Sequence, residues 1–81
     1  MSVEGMTLPK AIEEARILSH EAPMAGVDIL TLASPVIART ALPGQFVQVS
    51  VPANGGFLRR PLGIAEVSRT EGRIRLIYRQ V

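Results

Sequence analysis

A chain of 81 residues has room for one small domain and not two. At this size roughly 60–65% of the unfolded surface can be buried, which allows one thin core. Hydrophobic residues make up 47% and charged residues 20%, a globular balance that excludes a disordered tail. The absence of cysteine excludes disulfides, thiolate metal sites, iron–sulfur ligation and cysteine nucleophiles from these residues. The apolar stretches are short and broken by Pro, Gly or charge, so none reads as a membrane-spanning helix. Glu4-Gly5 stands where a secretory leader needs a basic and then an apolar run. The expectation is a cytoplasmic domain without membrane contact.

In chain order, residues 1–10 read as an N-terminal tail without periodicity, and residues 11–81 as the folded domain. Lys10 to Glu21 is ambiguous. Its Ala and Glu content, with Ile12, Ala15 and Leu18 at helical spacing behind Pro9, leans to a short helix, whereas period two puts Ala15, Ile17 and Ser19 on one face of a strand. Pro23 closes the segment in either case. Val27 to Ala33 is a β-branched and aliphatic strand stopped by Ser34-Pro35, and Val36 to Ala41 reads as one helical turn. Pro43-Gly44 is a turn. Gln45 to Val51 alternates, with Val47, Val49 and Val51 on one face and Phe46, Gln48 and Ser50 on the other; Phe46 is assigned to packing. Pro52 to Gly56 reads as a loop, Leu58 to Val67 as an extended segment interrupted by Pro61 and Gly63, and Thr70-Glu71-Gly72 as a hairpin turn. Arg73 to Arg79 is the last strand, with Ile74, Leu76 and Tyr78 facing one way. Short strands separated by turn signals predict an all-β sandwich or barrel. The final strand runs into Gln80-Val81 without a turn, so the expected barrel lacks its last strand and leaves an open edge.

Charge is distributed unevenly. Residues 1–58 balance to −2 and residues 59–81 to +4, where Arg59, Arg60, Arg69, Arg73, Arg75 and Arg79 face only Glu66 and Glu71. Arginine's planar fork suits phosphate, although arginines on strands also simply keep a sheet face wet. A nucleic-acid-binding barrel needs exposed aromatics for base stacking. With only Phe46, Phe57 and Tyr78 available, a small phosphorylated ligand fits better. His20 is the only histidine and reads as an ordinary strand residue, and Glu13-Glu14 as solvated charge. No GxGxxG or GxxxxGK[ST] motif is present.

The informative stretch is Leu58-Arg59-Arg60-Pro61-Leu62-Gly63-Ile64-Ala65. Proline has no N–H to donate, so Pro61 excludes a central ladder position. Gly63 lets a backbone or ligand approach closely. An arginine just before such a break presents its fork beside bare main chain. Pro43-Gly44-Gln45-Phe46-Val47, then this stretch, then Ile77-Tyr78-Arg79 resemble successive signatures of the flavin-binding barrel in ferredoxin–NADP⁺ reductase-type proteins. Within that family they resemble most the electron transfer subunits of dihydroorotate dehydrogenases, with order and spacing in register from about Ala11 to Val81. The resemblance implies an antiparallel Greek-key barrel that binds FAD on its outer wall, and strand rather than helix for Lys10 to Glu21. It also implies NAD(P)H reached through a further domain, a 2Fe–2S cluster held elsewhere in the parent protein, a catalytic dehydrogenase subunit as partner, and no nucleic acid. By position, Arg60 pairs with the FAD pyrophosphate, and Pro61 and Leu62 line the isoalloxazine. Ile77, Tyr78 and Arg79 lie under the ribityl and pyrophosphate. Gly63 replaces the family's usual Ser near flavin N5, and no catalytic residue is expected. Two other readings stay open: a barrel that has lost flavin and serves as an interaction module, and a small basic nucleic-acid-binding barrel.

Overall fold

The fold, taken from a computed structural model, is described for residues 2–5, 12–53 and 56–79. Among the described residues seven strands and one short helix follow one another. They are β1 (Ser2–Gly5), β2 (Ile12–Glu14), β3 (Arg16–Met24), β4 (Val27–Ala33), α1 (Pro35–Thr40), β5 (Phe46–Ala53), β6 (Gly56–Ser68) and β7 (Arg73–Arg79). The strands form one antiparallel sheet in the order β2-β1-β5-β6-β7-β4-β3. The run β5-β6-β7 with β4 returning beside β7 is a Greek key. The two outermost strands, β2 and β3, are separated in the chain by Ala15 alone, so the sheet must curl to bring its ends together. Among the described residues the result is an open barrel whose edges fall at β2 and β3, while β7 is paired on both sides.

Alternation places the core. Val47 and Val49 of β5, Leu62 and Ile64 of β6, Ile74 and Leu76 of β7, and Leu30 and Leu32 of β4 all face the interior. Leu32, Ile74 and Leu76 are fully buried, and each such side chain contributes about 1.5–3 kcal/mol. The expected Pro43-Gly44 turn is present: Gln45 N–H donates to the Leu42 carbonyl (3.1 Å), and Gly44 carries the positive φ that this turn demands.

Helix α1 closes one end of the barrel, burying Ile37 and Ala38. Both of its ends are satisfied by residues from elsewhere. The Ser34 hydroxyl donates to a Glu13 carboxylate oxygen (2.7 Å) instead of capping its own helix, and the same carboxylate accepts from the N–H groups of Val36 and Ile37 (both 3.0 Å). At the other end Arg69 donates to the carbonyls of Arg39 (3.0 Å) and Ala41 (2.9 Å). Burial works against the charged form of Glu13, but the hydrogen bonds from Ser34, Ile37 and Val36, with Arg39 nearby, outweigh it and lower its pKa.

Several expectations need correction. Residues 2–5 are not tail. They form β1, which pairs with β2 and β5 and buries Val3 completely; four residues are too few to show a period. Residues 6–11, with Leu8-Pro9-Lys10, lie outside the described residues. The helical lean for Lys10 to Glu21 fails, because Ile12–Glu14 and Arg16–Met24 are both extended. Pro23 does not end its segment, since it falls in the register shift between Glu21 and Met24 on an edge strand, where no ladder donor is required. Glu13 is not solvated charge but the cap of α1. The expected loop at Pro52 to Gly56 is tighter, with Ala53 opposite Gly56 and residues 54 and 55 outside the described residues.

Pro61 is likewise not excluded from an inner strand. Ile64 N–H donates to the Gln45 carbonyl (2.8 Å), and the Ile64 carbonyl accepts from Gly44 N–H (2.9 Å). Even-numbered residues of this part of β6 therefore face β5, and Gly63 and Pro61 face β7. The β6–β7 ladder begins at Gly63. Pro61 thus stands just outside it, with no donor required.

Candidate functional site

The register brings the residues singled out from the sequence to one region. Phe46, Gly63, Ile77 and Ile29 stand side by side across β5, β6, β7 and β4. Two of them are large exposed apolar side chains, Phe46 (56%) and Ile77 (46%), with the glycine between them. Phe46 therefore does not pack in the core as expected. It lies on the outer face with its ring edge 3.7 Å from where a Gly63 Cβ would sit. An aromatic, a bare peptide and an isoleucine in one row form an apolar shelf on the outside of the barrel.

Beside this shelf, at the barrel end away from α1, sits a polar group. Arg60 and Tyr78 share the inward phase of Leu62 and Leu76 but fall at the barrel mouth. The Arg60 guanidinium lies over the Tyr78 ring, 5.5 Å from its centroid, and donates from Nη2 to the Arg79 carbonyl (3.4 Å). Tyr78 is packed against the core and stands opposite Asp28 on β4. Asp28 is 2% exposed and hydrogen-bonded to His20 Nε2 at 2.9 Å. Burial, then the Asp28 charge, raise the Tyr78 hydroxyl above the usual phenol range, with Arg60 pulling the other way.

Of the residues expected to form a site, Arg60, Tyr78 and Arg79 are in mutual contact, and Gly63 and Ile77 are paired neighbours. Pro61 is exposed opposite Gln48. Leu62 departs from the expectation. It is 5% exposed and belongs to the core, because its phase is that of Ile64, so its side chain supports the shelf from beneath and does not line it. Gln80 and Val81 lie outside the described residues. The sequence reading missed Asp28, whose signal was a carboxylate inside an otherwise apolar run. It also dismissed His20 and Phe46, whose importance depends on cross-strand register.

The six arginines from Arg59 to Arg79 divide into two sets. Arg75 pairs with Glu66 and Glu21, Arg73 with Glu71, and Arg69 caps α1. Arg59, Arg60 and Arg79 form no ion pair with a described residue, and they collect toward the barrel mouth. The positive excess of the last third is thus concentrated next to the apolar shelf. Together they suit a ligand with a flat apolar part and an anionic part.

Gly63 does not hold its place by steric need. Its φ lies outside the left-handed region and a Cβ would meet only ordinary contact with Phe46. Gly63→Ser is therefore expected to fold normally and to gain up to about 1 kcal/mol from the lost flexibility of the unfolded glycine. Thermal unfolding of the two proteins side by side measures this; a lower melting temperature for the serine variant would contradict it.

Comparison with known proteins bears on the fold. No family model matches the chain. It is 49% identical over 49 residues to the electron transfer subunit of dihydroorotate dehydrogenase B (NAD(+)) from Desulforamulus reducens, covering 59% of this chain and 19% of that protein. It is 40% identical over 52 residues to the subunits of the same name from Bacillus caldolyticus and Geobacillus kaustophilus, covering 63% of this chain and 20% of each. The chain thus spans about a fifth of the length of the curated relatives it matches. Among solved structures, an NADH-dependent reduced ferredoxin–NADP oxidoreductase described for flavin-based electron bifurcation superimposes with a TM-score of 0.73. That match has 26% sequence identity, over 85% of this chain and 24% of the other. By sequence the chain is similar to part of the dihydroorotate dehydrogenase B electron transfer subunits, and by fold it carries a barrel of ferredoxin–NADP reductase type.

Proposed function

We propose that this chain is the FAD-binding barrel of an electron-transfer flavoprotein subunit, one that passes electrons between NAD(P)H, flavin and an iron–sulfur centre in dihydroorotate oxidation. The observation that carries the reading is the juxtaposition of the Phe46–Gly63–Ile77 shelf with the cations Arg60 and Arg79, neither of which pairs with a described carboxylate. A flat ring needs apolar surface and reachable peptide groups, and a diphosphate needs guanidinium forks. The residues present fit both demands. Gly63 and the side chains of Phe46 and Ile77 would hold the ring, with Pro61 at its border. Arg60 and Arg79 would hold the diphosphate, and the main chain of β7 from Ile77 to Arg79 the linking ribityl. When bound, FAD supplies the hydride and single-electron chemistry, while the protein binds, orients and tunes it.

The chain has no cysteine, so it offers no thiolate to a cluster, and the iron–sulfur centre in this reading belongs to other parts of the assembly. The nicotinamide site and the dihydroorotate-oxidising partner are assigned there too, in keeping with the names of the relatives.

A titration of the protein with FAD, followed by quenching of flavin fluorescence and displacement of its visible bands, tests the reading. Saturable binding, tighter for FAD than for riboflavin, is expected. Absence of binding would replace this reading with that of a barrel serving only as an interaction module.

A further inference from the structure

We propose that Tyr78 is a positioning residue for Arg60, and that through it the barrel distinguishes flavins bearing a diphosphate from those that end at the ribityl chain. This rests on the reading of Arg60 as the phosphate-binding cation. An arginine at the rim of a barrel is free to sample many rotamers, and fixing it at the moment of binding opposes affinity. Here the guanidinium already lies over the face of an aromatic ring and is tethered by one hydrogen bond to the Arg79 carbonyl. A cation held by a ring face keeps most of its N–H donors directed away from that face.

Tyr78 packs against the barrel core and stands opposite Asp28, whose carboxylate is anchored by His20. Position 78 continues the inward series Ile74, Leu76, and an aliphatic residue would fill a core position there equally well. What an aliphatic residue lacks is a negative face for Arg60.

Affinities for FAD and riboflavin separate the possibilities. Tyr78→Leu is expected to lower FAD affinity about three- to tenfold, the range of a partly exposed cation–ring contact, and to leave riboflavin affinity unchanged. Tyr78→Phe is expected to retain both. Added to Arg60→Ala, Tyr78→Leu should cause no further loss, since the two act through one contact. Tyr78 is the only tyrosine in the chain, so biosynthetic replacement by fluorotyrosine changes this ring alone. Because it weakens the negative ring face without altering shape, FAD affinity should fall with fluorination even if Tyr78→Leu does not fold. Equal losses for FAD and riboflavin, or no response to fluorination, would overturn the positioning role. Should Arg60→Ala itself leave FAD binding intact, the flavin reading of the site fails first.

Discussion

Replacing Arg60 with alanine is expected to weaken FAD binding by about ten- to a hundredfold, the equivalent of a lost charged hydrogen bond of about 1.5–3 kcal/mol. Riboflavin binding should be almost unaffected. Arg60 is singled out because the other cations of the last third differ from it in surroundings. Arg69 is committed to the carbonyls at the end of α1, and Arg73 and Arg75 to neighbouring carboxylates. Arg59 and Arg79 are exposed, so their fields are screened by solvent and salt. Arg60 is half-buried and pre-oriented on a ring, which keeps its charge closer to full effect. The dependence of FAD affinity on ionic strength should become shallower in Arg60→Ala, because one cation–phosphate contact has gone. Arg59→Ala should show a smaller loss. If Arg60→Ala and wild type hold FAD equally, and with equal salt dependence, the diphosphate lies elsewhere and the barrel mouth is not its site.

How far this site could be read from the sequence depends on the range of the interaction involved. The strands β5 and β7 were legible because they lie inside the sheet with one face buried, so Val47-Val49 and Ile74-Leu76 alternate with residues that are less buried. Gly63 and Arg60 stood out for a similar local reason, a proline and a glycine within an extended run. The segment from Ile12 to Met24 was not legible in the same way. It runs along both edges of the curled sheet, bends at Ala15, and carries bulges between Ile17 and Ser19 and between Glu21 and Met24. β3 has no buried face, and without one there is no alternation to read. Its Ala and Glu content then favoured helix, and pairing overrode that preference. The Arg60–Tyr78–Asp28–His20 group was hidden for another reason. Each member is ordinary in its own strand, and only the register of β3, β4, β6 and β7 brings the four together.

The same limit of range conceals the interaction whose loss should most affect stability. Glu13→Ala is expected to destabilise the protein by about 2–3 kcal/mol, because it removes the cap of α1 and leaves the fully buried Ser34 hydroxyl and two N–H groups without that acceptor. A domain of this length is stable by only about 4–12 kcal/mol. A shift of the melting temperature by about 10–20 °C should follow. Glu71→Gln, which removes only the exposed pair with Arg73, should cost less than about 1 kcal/mol. The pH dependence has a defined sign. The folded-state pKa of Glu13 is lowered from 4.5, so its contribution is fully present above that unfolded value. The contribution is lost as pH falls through the lower folded value, where protonation removes the charge that Ser34, Val36 and Ile37 donate to. Glu13→Gln should therefore lower stability at neutral pH and flatten its decline in acid, and the two stability curves should converge below the folded pKa. Urea titrations of both proteins from neutral to strongly acidic pH measure the difference directly. Parallel curves over that whole interval would mean that Glu13 holds the helix no better charged than neutral.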